Sequence, residues 1–377
     1  MVELIFISLI AIVCLCSSSL FSRWGVPSLL VFIVLGMLFG SDGLFKIPLD
    51  DYHLVEQICS IALAFIMFYG GFGTNWKQAR PVAAKAITLS TLGVVMTALI
   101  TALFCRLVLR IGMLESFLIG AAISSTDAAS VFSILRAKKL NLKYNTASLL
   151  EMESGSNDPA SYMLTLTALS LLKGDAGGQL AVIMLLQIGV GIAVGIVAAM
   201  ASSWVLRKQR LRIDGYDTLF VLALVVGAYA LATHFGGNGY LAVYLFGIIL
   251  GNSRIMDKVA LVHFFDGITG QAQIIIFFLL GLLSFPSTLP GTLGISIAIA
   301  MFLTFVARPA AVFAILAPMK CNPKQILLVS FAGLRGAASI VFAIIAVVSG
   351  VKLEYDLFHI VFGVCLISVA MQVDSLP

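Results

Sequence analysis

Long apolar stretches alternate with short polar segments along the whole chain. Thirteen of these stretches approach the roughly 20 apolar residues that a helix needs to cross a bilayer. The predicted spans cover residues 3–21, 26–41, 57–74, 83–109, 114–136, 147–172, 180–206, 216–235, 238–252, 264–284, 291–317, 325–349 and 355–373. The second and ninth are short. We therefore predict an all-α polytopic membrane protein with thirteen transmembrane helices.

Composition agrees with a protein that lives in a lipid bilayer. The 377 residues are 60% hydrophobic and 11% charged, with a mean hydropathy of +1.09. A soluble domain has about 25% charged residues. The net charge of +5 is modest and is typical of cytoplasmic loops, so we expect no nucleic-acid partner. The apolar part of the first span, about Leu4–Leu20, has Glu3 before it and Arg23 after it. This charge order is the reverse of that in a signal peptide, so we interpret the span as a retained helix.

The distribution of basic residues predicts the orientation. With the N-terminus outside, 16 of the 23 Lys and Arg residues fall in cytoplasmic loops and 5 fall on the outer side. The remaining two, Arg308 and Arg335, lie inside spans. Because cytoplasmic loops are enriched in Lys and Arg, this alternation favours an N-out, C-in topology. We expect a multi-pass protein of a bacterial cytoplasmic membrane.

No linker, low-complexity stretch or run of charge divides the chain. Residues 1–377 are therefore predicted to form a single transmembrane domain. The last predicted span ends close to the end of the sequence. We expect that a cytoplasmic C-terminal regulatory domain, if the protein has one, is absent from this chain.

Polar residues concentrate in the sixth span. Glu151, Glu153 and Asp158 lie within one apolar stretch, together with Ser154 and Asn157. One carboxylate at bilayer depth costs about 2.5–3.5 kcal/mol on insertion scales, so three of them imply a function. Such clusters usually face a water-filled cavity and handle ions or protons.

Helical spacing sorts these residues into two stripes. Glu151, Ser154 and Asp158 share one face, and Glu153 and Asn157 share the neighbouring face. Asp158 with Ser154 could ligate a cation. Glu151 fits an ion pathway and an interfacial helix end equally well.

A buried glutamate needs a partner of opposite charge. Glu153 is expected to pair with an arginine inside a span. Arg335 is the first candidate and Arg308 the second. The alternative for Arg308 is a structural charge paired to Glu151 or to a backbone carbonyl.

Two spans carry polar or glycine-rich interruptions. The fifth contains Ile123-Ser-Ser-Thr-Asp-Ala-Ala-Ser130, and the twelfth contains Phe331-Ala-Gly-Leu-Arg-Gly-Ala-Ala-Ser339. Broken helices at the bilayer midplane often form ion sites. The two spans are seven crossings apart and so run in opposite directions, as inverted-topology repeats require. The alternative is a pair of ordinary kinks without a ligand.

These residues resemble the NhaP-type monovalent cation/proton antiporters of the CPA1 class, and bacterial potassium/proton antiporters in particular. The resemblance covers essentially the whole chain. It rests on four motifs: Gly25–Gly40 in the second span, Ser125-Thr-Asp-Ala-Ala-Ser-Val-Phe-Ser133, Glu151-Met-Glu-Ser-Gly-Ser-Asn-Asp-Pro159 and Gly333-Leu-Arg-Gly-Ala337.

The resemblance implies a role for each matched residue. Asp158 would carry the cation or the proton, with Asn157 as its neighbour. Ser154 and Thr126 would add oxygen ligands, so the monovalent cation would lie at Asp158, Ser154 and Thr126. Asp127 would stabilise the crossing of the broken helices, and the buried ion pair would be Glu153 with Arg335.

The resemblance also implies a homodimer with two parts. The core would be spans 4–6 and 11–13, about residues 83–172 and 291–373. The dimerisation part would be spans 1–3 and 7–10, about residues 3–74 and 180–284. Two departures from some family members stand out: Ala128 replaces a proline after the Thr-Asp pair, and the third span has no acidic residue around Phe68–Gly73.

The expected activity is electroneutral alternating access. Burial disfavours a charged Asp158, whereas a cation stabilises it, so proton and cation compete. Asn157 cannot titrate, which predicts one proton per cation. The oxygen ligands suit K⁺ or Na⁺, and the resemblance favours K⁺. We expect a transporter and not an enzyme, with no cofactor besides the transported ions.

Three other functions are compatible with a polytopic chain. An ion channel usually builds its pore by oligomeric symmetry, which a single internal site does not suggest. A Na⁺-coupled organic-anion symporter would need a larger pocket with helix N-termini facing it. A membrane enzyme is disfavoured because the four histidines are scattered and no HExxH or GxSxG motif occurs.

Overall fold

The computed structural model describes residues 12–17, 28–49, 51–127, 142–174, 177–208, 215–255 and 258–375. Within these ranges the chain is helical and contains no strand, which confirms the predicted all-α class. Six of the described helices are long and apolar enough to cross a membrane.

The helices are numbered here in chain order. They are α1 (Ser28–Phe39), α2 (Tyr52–Gly73), α3 (Trp76–Leu107), α4 (Met113–Ala122), α5 (Thr146–Lys173), α6 (Gly177–Lys208), α7 (Tyr216–His234), α8 (Gly239–Gly251), α9 (Lys258–Leu283), α10 (Leu289–Leu316), α11 (Pro323–Phe331), α12 (Ala337–Val348) and α13 (Leu357–Ser375). A further short helical segment covers residues 12–17.

These helices overlap the predicted spans. The second and ninth spans correspond to α1 and α8, which have only 12 and 13 residues. The twelfth span is divided between α11 and α12. Most of the first span and the second half of the fifth, including Ala128, lie outside the described residues.

The helices pack in two groups. One group consists of α1, α2 and α6–α9, and the other of α3–α5 and α10–α13. Contacts between the groups are made mainly by α2 with α12 and by α5 with α6 and α8. The candidate site therefore lies where two helix bundles meet.

Glycines allow close approach within the first group. A Cβ atom on Gly281 of α9 would lie 2.2 Å from the carbonyl oxygen of Ile33, and one on Gly247 of α8 would lie 2.2 Å from that of Phe68. Membrane helices associate closely where small residues let their backbones meet. These contacts make α1, α2, α8 and α9 a tightly packed unit.

Two π-helical turns occupy matching positions in the second group. Leu89–Gly93 interrupts α3, and Leu303–Ala307 interrupts α10. These helices correspond to the fourth and eleventh predicted spans, which are seven crossings apart, like the two broken spans. Each π turn adds one residue to a helical turn and so re-aims the side chains that follow it. Arg308 comes directly after the second π turn.

Candidate ion-binding site

Two unwound segments cross at the centre of the second group. After α4 ends at Ala122, residues 124–127 are not helical, and residues 333–336 separate α11 from α12. The backbone N–H of Asp127 donates to the carbonyl oxygen of Leu334 at 2.8 Å. The chain is therefore unwound at both predicted interruptions, and the two unwound segments contact each other directly.

The crossing leaves no room for a side chain at Gly336. A Cβ atom there would lie 2.5 Å from Cβ of Asp127. Gly336 immediately precedes α12, so Asp127 lies beside the N-terminal end of that helix. A helix N-terminus favours a nearby negative charge.

We expect Gly336→Ala to push the two unwound segments apart. Overpacking of this kind costs about 1–3 kcal/mol, so the variant should unfold at a lower temperature in detergent and transport more slowly. Gly294→Ala in α10 is the matched control, because a Cβ atom there meets nothing within 4 Å and the residue does not line the central cavity described below. Equal stability and activity in the two variants would show that the close contact between Gly336 and Asp127 is not required.

Arg335 supports the other end of the crossing. It is buried, and its Nη1 atom donates to the carbonyl oxygens of Ser124 (2.8 Å) and Ser125 (2.5 Å). These carbonyls follow the end of α4, where helical hydrogen bonds are no longer available. A cation is favourable at a helix C-terminus. Arg335 thus stabilises the unwound segment and does not pair with Glu153.

The partner of Glu153 is Arg308, the second candidate. Nη1 of Arg308 donates to Oε1 of Glu153 at 3.0 Å, and Nη2 donates to Oε2 at 2.9 Å. Both side chains are buried, at 2% and 0% exposure. The predicted Glu153–Arg335 pair was wrong because the π turn of α10 directs Arg308 toward α5, whereas Arg335 is engaged by the carbonyls after α4.

Hydroxyl and amide groups connect α5 to the first unwound segment. Oγ1 of Thr126 and Oγ of Ser154 form a hydrogen bond of 2.8 Å. Nδ2 of Asn157 donates to the same Thr126 oxygen and, at 3.4 Å, to Oε1 of Glu153. Asn157 therefore links the ion pair to Thr126 and holds the neighbouring side chains in place.

Asp158 has an oxygen atom without a hydrogen-bond partner. The side chain is 5% exposed, and its Oδ1 atom is buried and makes no hydrogen bond among the described residues. Buried polar atoms are nearly always satisfied. An unsatisfied carboxylate oxygen in this position calls for a proton, a water molecule or a cation.

Asp158 lines a cavity of about 490 Å³, called here the central cavity. Its wall also includes Ser125, Thr126, Asp127, Glu151, Ser154, Asp266 and Gly336. Glu153 and Asn157 do not line it. Glu151, Ser154 and Asp158, which the helical spacing predicted to share one face of α5, thus all line the cavity.

The central cavity reaches the surface at one end of the molecule. Exposed residues in its wall include Gly73, at the end of α2, and Asp266, in the first half of α9. Glu151 is half-buried near the start of α5. These helix ends adjoin Lys77, in the first turn of α3, and Arg254, in the loop after α8. Both residues are among the 16 basic residues that the N-out topology assigns to the cytoplasmic side.

Other contacts of the site have only weak signals in the sequence. Ser125 joins the first unwound segment to Ser339 of α12 through a hydrogen bond of 3.2 Å, and Oγ of Ser161 donates to the carbonyl oxygen of Ala121 at 2.6 Å. Tyr244 of α8 lies against Gly155, where a Cβ atom would be 2.7 Å from Cε2 of the ring. Serines at bilayer depth could have pointed to the first two contacts, but nothing near Tyr244 indicated the third.

The arrangement offers a cation only oxygen atoms. Asp158 supplies a carboxylate, and Ser154 and Thr126 supply hydroxyls beside the same cavity. Oxygen ligands suit hard cations. Among the described residues, no group of three or more His, Cys, Asp and Glu side chains could hold a metal ion.

The sequence matches a known family over nearly its whole length. The family described as "Sodium/hydrogen exchanger, transmembrane" matches residues 8–377. The chain belongs to this sodium/hydrogen exchanger family. It is a multi-pass membrane protein, and the resemblance stated on sequence motifs is confirmed at the level of the family.

Several relatives in the exchanger family have names that state an activity. The K⁺/H⁺ antiporter NhaP of Alkalimonas amylolytica is 39% identical over 353 residues, covering 93% of this chain and 61% of the relative. The K⁺/H⁺ antiporter NhaP2 of Shewanella sp. (strain MR-4) is 35% identical, covering 98% and 65%. The low-affinity Na⁺/H⁺ antiporter NhaS1 of Synechocystis sp. is 26% identical, covering 92% and 68%. This exchanger-family chain thus spans less than two thirds of the length of the first two relatives.

A solved structure has the same fold. The sodium proton antiporter MjNhaP1 from Methanocaldococcus jannaschii, at pH 8, superimposes with a TM-score of 0.84 at 24% sequence identity. The match covers 99% of this chain and 100% of that one. At this identity the match shows a common fold and nothing further.

Proposed function

We propose that the chain is a secondary active monovalent cation/proton antiporter in which the cation and the proton compete for Asp158. The observation that carries the proposal is the buried Asp158 carboxylate, with one unsatisfied oxygen, on the wall of the central cavity. Ser154 and Thr126 contribute the neighbouring oxygens. The names of the relatives are consistent with this activity.

Competition follows from the charge of the site. A bare carboxylate in a low-dielectric interior is unfavourable. A bound proton or a bound cation each neutralises Asp158, so either loaded form can cross the barrier while the empty form cannot. One carboxylate cannot hold both ligands at once. Transport of the cation in one direction therefore requires transport of a proton in the opposite direction.

The proposed exchange is electroneutral. The side-chain amide of Asn157 does not titrate, and it donates hydrogen bonds to Thr126 and Glu153. Glu153 is neutralised by Arg308. One proton should therefore move per cation. A transport current in voltage-clamped membranes, reversing at a non-zero potential under balanced gradients, would contradict this stoichiometry.

K⁺ is the proposed cation. The two K⁺/H⁺ antiporters are more similar to this chain than the named Na⁺/H⁺ antiporters are. Na⁺ is the alternative within the family. An organic-anion symporter fits the site less well, because Asp158, Glu151, Asp127 and Asp266 would repel an anion from the central cavity.

The proposed topology has thirteen spans, with the N-terminus outside and the C-terminus inside. The matched π turns in α3 and α10 and the matched breaks after α4 and α11 support an inverted repeat of spans. With this topology the central cavity opens to the cytoplasm, so the conformation is inward-facing. We propose that the group α3–α5 and α10–α13 moves as a core against α1, α2 and α6–α9, which would form a homodimer interface.

The test of function is the collapse of an imposed pH gradient in proteoliposomes. We expect K⁺ to dissipate the gradient, with Na⁺, Li⁺ and Rb⁺ ranking the selectivity. The half-saturating K⁺ concentration should rise as pH falls, by up to about tenfold per pH unit where Asp158 is mostly protonated. A gradient that collapses equally with and without these cations would overturn the proposal.

A further inference from the structure

A second cavity lies at the opposite end of the two helix groups. It has a volume of about 490 Å³ and is called here the distal cavity. Its wall includes Glu56 of α2, Gln187 of α6, and Ser170 and Lys173 at the end of α5. By the proposed topology this end faces the outside.

Aromatic side chains separate the two cavities. Tyr162 lies one helical turn after Asp158 on α5, and Phe342 lies one turn after Ala338 on α12. The ring centroids of Tyr162 and Tyr240 are 5.0 Å apart, and those of Tyr162 and Phe342 are 5.7 Å apart. These three rings, called here the aromatic plug, join helices of both groups.

The distal cavity contains a buried amide without partners. Gln187 is 1% exposed, and both its Nε2 and Oε1 atoms lack hydrogen bonds among the described residues. Leaving a buried polar group unsatisfied is unfavourable, so such groups usually bind water or an ion. A volume of this size holds roughly ten to fifteen water molecules, or a hydrated monovalent ion.

The charges in the cavity favour a cation. Glu56 is half-buried, and its Oε1 atom accepts a hydrogen bond of 2.9 Å from the buried Ser60. This bond holds the carboxylate in place. The opposing charge, Lys173, is exposed at the end of α5. The half-buried negative charge is therefore held by Ser60, and the positive charge is exposed at the rim.

We propose that Glu56 and Gln187 form an outer subsite for a monovalent cation, which holds the ion before or after it passes the aromatic plug. Carboxylate, carboxamide and hydroxyl oxygens are suitable ligands for such an ion. The inference rests on the proposed exchange. It adds a binding site on the outer face that is distinct from Asp158.

The transport test compares the two faces of the membrane. In right-side-out and everted vesicles, Glu56→Gln should raise the half-saturating K⁺ concentration at the outer face by about three- to tenfold and leave the cytoplasmic value unchanged. The glutamine retains the acceptor for Ser60. Glu354→Gln, an exposed carboxylate in the loop before α13, is the matched control and should change neither value. Equal values for Glu56→Gln and wild type, or equal shifts at both faces, would overturn the subsite.

A second substitution predicts a shift of opposite sign. Lys173→Gln removes the positive charge at the rim, so it should lower the half-saturating K⁺ concentration at the outer face. This keeps the proposal testable if Glu56→Gln folds poorly. No change, or an increase, in Lys173→Gln would count against the subsite.

A binding test separates failure of the subsite from failure of the exchange proposal. Crystals of Asp158→Ala soaked with Tl⁺ lack the central carboxylate and need no transport. Anomalous density for Tl⁺ between Glu56 and Gln187 is the expected result even if wild type does not exchange ions. Absence of that density at saturating Tl⁺ would overturn the subsite and leave the central proposal intact.

Discussion

Replacing Asp158 with asparagine is expected to reduce cation/proton exchange to the rate of protein-free liposomes. The amide has almost the shape of the protonated carboxylate, but it neither releases a proton nor binds a cation as strongly. The fold should survive, because Asn removes a buried charge whose Oδ1 atom has no partner among the described residues. The measurements are pH-gradient collapse and thermal unfolding of the same preparation.

A second carboxylate in the same cavity provides the control. Asp266 lines the central cavity and accepts a hydrogen bond of 3.0 Å from Tyr69. Asp266→Asn keeps an oxygen acceptor for Tyr69 and should keep most of the exchange activity. If Asp158→Asn still exchanged ions, or if Asp266→Asn were equally inactive, Asp158 would not be the unique carrier.

Removing Arg308 is expected to destabilise the protein more than any other single change considered. Arg308→Met would leave Glu153 buried without a counter-charge, which costs about 3–5 kcal/mol. Unfolding in detergent micelles should therefore occur at a much lower temperature. Arg106→Met, at an exposed arginine near the end of α3, should stay within about 0.5 kcal/mol of wild type.

A double variant distinguishes loss of the ion pair from loss of packing. Glu153→Gln combined with Arg308→Met removes both charges, so much of the lost stability should return. If the double variant were as unstable as the sum of the two single variants, Arg308 would be stabilising through its packing alone. Exchange activity in the stable double variant would show that the ion pair supports the site without carrying ions.

Much of the architecture was readable from the sequence because a membrane imposes simple rules. Apolar length marked the helices, and helical spacing alone put Glu151, Ser154 and Asp158 on one face of α5. The breaks after α4 and within the twelfth span were also predictable, since runs of Ser, Thr and Asp, or paired glycines, disfavour a continuous helix.

The partner of Glu153 could not be predicted in the same way. Arg308 and Arg335 are both buried arginines in apolar spans, and spacing along one helix says nothing about contacts with another. Which arginine pairs with Glu153 depends on two features. One is the π turn before Arg308, and the other is the pair of carbonyl oxygens, of Ser124 and Ser125, that accept hydrogen bonds from Arg335. Both features are irregularities of the backbone that no apolar pattern encodes.

The distal cavity had no signal in the sequence for a related reason. Glu56 looks like an ordinary charge near the start of a span, and Gln187 is one polar residue in the long apolar helix α6. Only the packing of α2, α5, α6 and α12 brings them to one cavity.

The most direct measurement is proton release when K⁺ binds to the purified protein in weakly buffered detergent solution. If proton and cation compete for Asp158, K⁺ should release up to one proton per chain near the pH of half-protonation, and Asp158→Asn should release none. K⁺ binding without proton release in the wild type, or equal release in the variant, would contradict competition at Asp158.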